Sequence, residues 1–260
     1  TGEANLIAGF TVGGTAPAAA GLSVLVRGMG PSLAPFGVSG YLADPTLTLY
    51  TGAQVIATND DWSGAASIRT ASTQAGAFPF ASEASKDAAL VQVFGLGGHT
   101  LQIGAPESQT GIVVAEVYDL TPADAYNPAG SARIINLSAR GRIEPGVILF
   151  AGFRIGGVTA RTVLIRAIGP TLRAFGVPEP LDDPKLDLFS EGGTLLLAND
   201  NWGGGNLIAT AAAAVGAFPL AANTRDAVIL TTLGPGSYTA QVTGVGVSRG
   251  VGLIEIYELP

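Results

Sequence analysis

The sequence predicts an all-β protein built as two tandem, homologous β-sandwich (jelly-roll-like) domains, each with at most one short helix. Three observations carry this expectation. The only two Trp residues sit in matching settings 140 positions apart, Asn59-Asp60-Asp61-Trp62 and Asn199-Asp200-Asn201-Trp202. The match extends well beyond them: Ala8-Gly9-Phe10 answers to Ala151-Gly152-Phe153, Val24-Leu25-Val26-Arg27 to Val163-Leu164-Ile165-Arg166, and Glu116-Val117-Tyr118 to Glu255-Ile256-Tyr257. Finally, short apolar runs are divided by turn signals every ~8–12 residues, as in a sandwich. A repeat this long marks a duplicated domain, since solenoid units recur every ~20–50 residues. Copy one is expected over 1–120, a short linker over 121–130, and copy two over 131–260 with an additional leading strand.

Copy one opens on an extended run, Asn5 to Val12, that ends at Gly13-Gly14. A second run, Leu22 to Arg27, is stopped by Gly28, Gly30 and Pro31, and Ser32 to Gly37 suits one tight or helical turn. Asp44-Pro45 resets the backbone to extended, because a residue before proline is pushed out of the α region. Thr46 to Tyr50 then alternates, with Leu47 and Leu49 on one face. Thr51-Gly52 turns the chain into Gln54 to Thr58. Ser67 to Gly76 is the helix of copy one; its counterpart Leu207 to Val215 is rich in Ala and Leu, both good helix formers. Gly76 and Gly216 stop these helices as C′ glycines. Ala88 to Phe94, Thr100 to Ile103 and Ile112 to Tyr118 complete copy one, matched by Ala227 to Thr232, Ser237 to Val242 and Val251 to Tyr257.

Between the copies, Ser131 to Arg142 interleaves Ile134, Ile135 and Leu137 with Arg133, Asn136, Arg140 and Arg142. That is too patterned for a linker. Its counterpart in copy one would precede Thr1, so one such strand is expected where symmetry asks for two.

Composition narrows the function. Charged residues make up only 13% of the chain against 47% apolar, so much of the exterior is uncharged or is covered by other molecules. The net charge is -7 and no Lys/Arg cluster exists, which argues against nucleic acid as a partner. No apolar run is long enough to span a bilayer. Cysteine is absent, which removes disulfides, thiolate metal sites and thiol nucleophiles. Scarce Lys and a start at Thr1 rather than Met fit an exported bacterial protein, placed outside the cell or at its surface.

Two groups of residues could carry chemistry. Asn59, Asp60, Asp61 and Asp87, with Asn199, Asp200, Asn201 and Asp226 in copy two, offer oxygens that calcium accepts. The same residues suit Asx turns ahead of the helix, and their spacing is not that of an EF-hand. Arg27 and Arg166 end inward-looking strands, while Glu116 and Glu255 stand inside apolar closing strands, where a lone carboxylate is costly. An Arg–Glu pair in each copy would answer both. Enzyme readings find little: His99 is the only histidine and aligns with Tyr238, and no phosphate loop follows the Gly-rich steps. Aromatics, at 7%, are few for a carbohydrate-cleaving cleft.

The Leu47-x-Leu49-Tyr50 strand, the polar turn with Asp60 and Asp61, and in copy two Leu186, Leu188, Phe189, Asp200, Tyr238 and Val242 resemble the bacterial pre-peptidase C-terminal type of β-sandwich. Such domains are secreted accessories, and tandem segments similar to these occur in large secreted proteins of environmental bacteria. The resemblance covers about half of each copy, and copy one has His99 where its Tyr strand should be.

Together these features lead to a non-enzymatic extracellular subunit that self-assembles into a filament, tube or surface layer through β-strand edges. The assembly edge is expected at Asn5, Leu6, Ile7, Phe10 and Val12, a charge-free opening strand, which would accept Ile134, Ile135 and Leu137 of a neighbouring copy, the alternative being that 131–142 completes one of its own two domains. Trp62 and Trp202 are expected as equivalent structural anchors. The alternative is a secreted carbohydrate- or surface-binding accessory module with calcium as a stabilising ion.

Overall fold

Period-two alternation makes strands of the apolar runs, and the glycines and prolines between them set where each strand turns back. The computed structural model describes residues 6–14, 21–106, 109–122 and 130–260; Asn5 lies outside these. The chain divides into two compact units, Thr1–Ile135 and Asn136–Pro260.

Unit 1 contains β1 (Leu6–Gly13), β2 (Leu22–Met29), β3 (Thr46–Thr51), β4 (Gln54–Asn59), α1 (Ala66–Ala75), β5 (Ala88–Phe94), β6 (Gly97–Gly104) and β7 (Val114–Asp119). Its strands pair antiparallel in the orders β1-β6-β3-β4 and β5-β2-β7. Strand β8 (Arg133–Ile143) carries the chain into unit 2, which continues with β9 (Leu149–Ile155), β10 (Arg161–Ile168), β11 (Pro184–Ser190), β12 (Leu195–Asn199), α2 (Asn206–Ala214), β13 (Ala227–Leu233), β14 (Gly236–Gly244) and β15 (Gly250–Glu258). Here the orders are β13-β10-β15-β8 and β12-β11-β14-β9. Strand for strand, β2, β5 and β7 of unit 1 occupy the places of β10, β13 and β15. Each unit also holds a six-residue 3-10 helix, Pro31–Phe36 or Pro170–Phe175, beside its α-helix, so the expectation of at most one short helix per copy falls short. The cause is local: Pro at the first helical position favours a helical start, and Gly37 and Gly176 end it in the left-handed region.

In unit 2 one core is filled from both sheets, by Val163, Ile165, Ala227, Ile229, Ile254 and Ile256 from one and Leu186, Leu188, Ala240 and Val242 from the other. In unit 1 the sheets meet likewise. Phe10 of β1 packs edge-on against Phe94 of β5 at 4.9 Å, and buried His99 lies beside both rings, bonded to Thr51 and to the Gly95 carbonyl. The middle strands β2 and β10 are covered on their second face as well, by α1 with Trp62 and by α2 with Trp202. That is why both read as unbroken apolar runs.

Of the two uses expected for 131–142, the structure shows the one within its own chain. Strand β8 pairs along β15 of its own chain, from Asn136 opposite Tyr257 to Ile143 opposite Gly250. Leu137, Ala139 and fully buried Ile143 go into the core of unit 2. Within unit 1, the Ile135 side chain lies against Gly13, and the Ser131 carbonyl lies so close to Gly14 that this glycine has no room for a side chain. Strand β1 is not an apolar edge offered to solvent either: β6 lies on one side, Ile135 at the start of β8 lies against Gly13 within unit 1, and Phe10 and Val12 are core residues. Leu6, Ile7 and Ile134 are half-buried.

Gly30 and Gly169 precede the two 3-10 helices, and a Cβ on either would strike the carbonyl oxygen of Leu42 or Leu181. Replacing either by Ala forces backbone apart, and overpacking of this kind costs about 1–3 kcal/mol. Thermal unfolding of Gly30→Ala and Gly169→Ala should show equal losses in the two units.

Candidate functional site

The strongest concentration of polar side chains in each unit lies between the doubly covered sheet and its helix. Arg27 stands directly across from Glu116 in the β2–β7 register, on the face that also carries Leu25 and is roofed by α1. Its guanidinium is fully buried. Nε donates to Glu116 Oε2 at 2.6 Å and Nη1 to the Phe78 carbonyl at 2.8 Å. The Phe78, Phe80 and Tyr118 rings lie 4.7, 4.9 and 5.8 Å from Cζ, within cation–π range. Tyr118 donates its hydroxyl to Glu116 Oε1 at 2.9 Å.

Unit 2 repeats the arrangement more loosely. Arg166 faces Glu255, its Nε 3.1 Å from Oε2 but off the hydrogen-bond axis, and Nη1 donates to the Phe218 carbonyl. Phe218 lies 4.3 Å from Cζ, and Tyr257 donates to Glu255. Leu220 takes the place of Phe80. Burial outweighs the attraction of the guanidinium in both copies and lifts the Glu116 and Glu255 carboxyls above the ordinary range. Tyr118 and Tyr257 are pushed up too, by burial first and by the neighbouring carboxylate second.

The Asn/Asp residues do separate structural jobs. Asn59 donates Nδ2 to the Asp61 carbonyl and accepts from Ala89 N–H, both at 2.9 Å, fastening the end of β4 to the start of β5. Asn199 does the same with Asn201 and Val228. Asp87 and Asp226 are fully buried and hold the open N-termini of the 3-10 helices. Asp87 accepts from Gly30 N–H at 2.8 Å, Ser32 N–H at 3.2 Å and the Ser32 hydroxyl. Asp226 accepts from Gly169 and Thr171 in the same way. Asp61 pairs with Lys86 at 2.7 Å, and Asp60 and Asp200 are exposed. The indole N–H of Trp62 reaches Ser85 Oγ and the Ser82 carbonyl, and Phe80 stacks on the ring at 4.1 Å. Trp202 bonds Ala221 and Thr224 equivalently. Among the described residues, no group of three or more His, Asp or Glu side chains comes together in a way that could hold a metal ion. No described helix is long and apolar enough to cross a membrane.

What the sequence did not single out is the pair of edge strands β4 and β12. Each has one strand neighbour, β3 or β11, among the described residues. Neither carries a charge or a proline. Val55 is 49% exposed, and Leu195, Leu196 and Leu197 are 51%, 42% and 41% exposed, consecutive residues that bare both faces of the strand. Natural sheets blunt such edges with Lys, Pro or a covering loop. The signal was available in Gln54-Val55-Ile56 and Leu195-Leu196-Leu197, two runs at equivalent places that lack any charged residue.

No protein-family model matches the chain, and no curated protein matches it. The likeness to the pre-peptidase C-terminal type therefore rests on short motifs. Among solved structures, the tandem CBM51 modules of a family 98 glycoside hydrolase from Streptococcus pneumoniae align over 96% of this chain and 80% of their own, at 6% identity and TM-score 0.28. The structure of Sulfolobus Turreted Icosahedral Virus aligns over 98% and 83%, at 16% identity and 0.24. The VP2 subviral particle of infectious bursal disease virus aligns over 97% and 72%, at 10% identity and 0.22. Scores this low do not bear on function; the all-β assignment rests on the sheets themselves.

Replacing Arg27 by Met leaves Glu116 buried without its cation, and breaking a buried pair in this way costs about 3–5 kcal/mol. Chemical denaturation should register that loss, with part of it recovered in Arg27→Met/Glu116→Gln. The raised carboxyls also set a pH dependence. Between the ordinary glutamate pKa and the raised one, the folded protein holds protons that the unfolded chain has released, so stability falls as pH rises through that interval. Denaturation midpoints measured across it should show this slope, flattened in Glu116→Gln/Glu255→Gln.

Proposed function

We propose that the protein is a non-catalytic extracellular structural subunit, two copies of one β-sandwich domain, that associates with further copies of itself through exposed strand edges. The observation that supports this most directly is the recurrence of an uncharged, apolar, singly paired edge at equivalent places, β4 and β12. Main-chain N–H and C=O groups along such an edge are satisfied by another strand at no cost in buried charge, and the exposed Val and Leu side chains gain burial in the same step. Two like edges per chain give each molecule two points of attachment, so association need not stop at a pair. A filament, tube or surface layer follows if the contact does not close on itself. The polar clusters support this reading by being spent inside the fold, on caps, clamps and the Arg–Glu pairs. Asn59, Asn199, Asp87 and Asp226, among the residues that offered oxygens to calcium, are used on backbone groups within the fold.

One observation favours binding of a carbohydrate or cell surface instead. Phe36 and Phe175 are exposed, each packed against a second ring, Phe78 or Phe218, beneath which the buried arginine lies. Paired rings of this kind in both units could serve as sugar-stacking platforms.

Sedimentation velocity and electron microscopy over a range of concentrations, with and without calcium, test the proposal. The wild-type protein should form concentration-dependent polymers, and Val55→Lys/Leu196→Lys should remain monomeric with stability within ~0.5 kcal/mol of wild type, as for exposed positions. A wild-type protein that stays monomeric at high concentration overturns the proposal. Glycan retention lost in Phe36→Ala/Phe175→Ala would then decide for the binding module.

A further inference from the structure

The two units differ at one edge. In unit 2 the closing strand β15 is flanked by β10 on one side and by β8 on the other. In unit 1 the equivalent strand β7 pairs with β2, and among the described residues no strand lies on its other side. The difference shows in exposure. Val251, at the head of β15, is 8% exposed, whereas its counterpart Ile112 is 50% exposed. Ile254 and Ile256 are buried in the core, whereas Ala115 and Val117 at the same places are half-buried.

From this we infer that the outer edge of β7 is an acceptor site for an extended strand of the β8 type, supplied by another copy of this repeat. Unit 2 serves as the template for the occupant. Leu137, Ala139, Gly141 and Ile143 of β8 alternate toward the core, while Asn136, Arg140 and Arg142 point away, and Asn136 adds a side-chain bond to the Ile256 carbonyl. Carried across, the register places the Asn136 position opposite Tyr118 and the Ile143 position opposite Gly111. One substitution refines the partner. A Cβ on Gly252 would come within 2.7 Å of Ile143 Cδ1, and unit 1 has Val113 where unit 2 has Gly252. The strand that fits β7 therefore carries a smaller side chain at the Ile143 position. This site uses a different edge from β4 and β12 and stands whether or not those associate.

A synthetic peptide of residues 131–143 carrying Ile143→Ala, added to the full chain, tests the assignment by amide hydrogen exchange. The peptide should slow exchange of β7 amides within 112–118 by about tenfold or more, leave β4 and β12 unchanged, and bind more tightly than the peptide with Ile143. The chain has no cysteine, so the register can be checked directly. With oxidised glutathione as the electron acceptor, Val114→Cys should form a disulfide with a peptide carrying Arg140→Cys, the partner that β15 gives Arg140 through Leu253. No protection of β7 in large peptide excess, protection located on β4, β9 or β12 instead, or equal protection by a scrambled peptide overturns the inference.

Discussion

Two arginine side chains with no access to water, Arg27 and Arg166, have to be answered from every direction, and the outer layer of each unit is arranged to answer them. A carboxylate comes from the neighbouring strand, a carbonyl from the Gly-Ala-Phe-Pro segment, and an aromatic face from the same segment. With the arginine itself, these groups belong to three stretches of chain far apart in sequence. The guanidinium is therefore a meeting point: if the segment after the helix were displaced, the charge would lose its carbonyl and its ring together. The helix and Trp layer is held to the sheet by this arrangement together with apolar burial. Asp87 and Asp226 extend the logic by gripping the 3-10 helices from the strand next door.

The two units share this interior and differ at the margins. The looser Arg166–Glu255 contact and the loss of one ring, Leu220 for Phe80, leave the same groups in place. At the sheet edges the units part company, since β15 has a strand on each side and β7, among the described residues, has one on one side. What the buried charge requires is thus alike in both units, and the rims differ.

Much of this was legible in the sequence. Arg27 and Glu116 stood out because each interrupts an apolar run, and a strand buried on both faces tolerates a charge only with a partner. The strand positions followed from alternation, and the turn role of Asn59 from its place ahead of a helix. The edges were not legible. Strand β1 looks like an open edge because it lacks charge, yet Phe10 and Val12 are core residues, and which strand lies at a rim depends on pairings between distant segments. Leu195-Leu196-Leu197 reads as a buried run for the opposite reason: local hydrophobicity cannot tell the last strand of a sheet from a middle one. Tyr118 and Tyr257, two residues beyond the paired glutamates, could have been found from their repetition in both closing strands.

The Asn59 clamp has a mechanical consequence. Its amide ties the end of β4, in one sheet, to the backbone of Ala89 at the start of β5, in the other, and Asn199 ties β12 to β13 in the same way. A pull applied to the outermost strand is thereby handed across to the opposite sheet, where several hydrogen bonds must shear together, instead of being spent unzipping the rim one bond at a time.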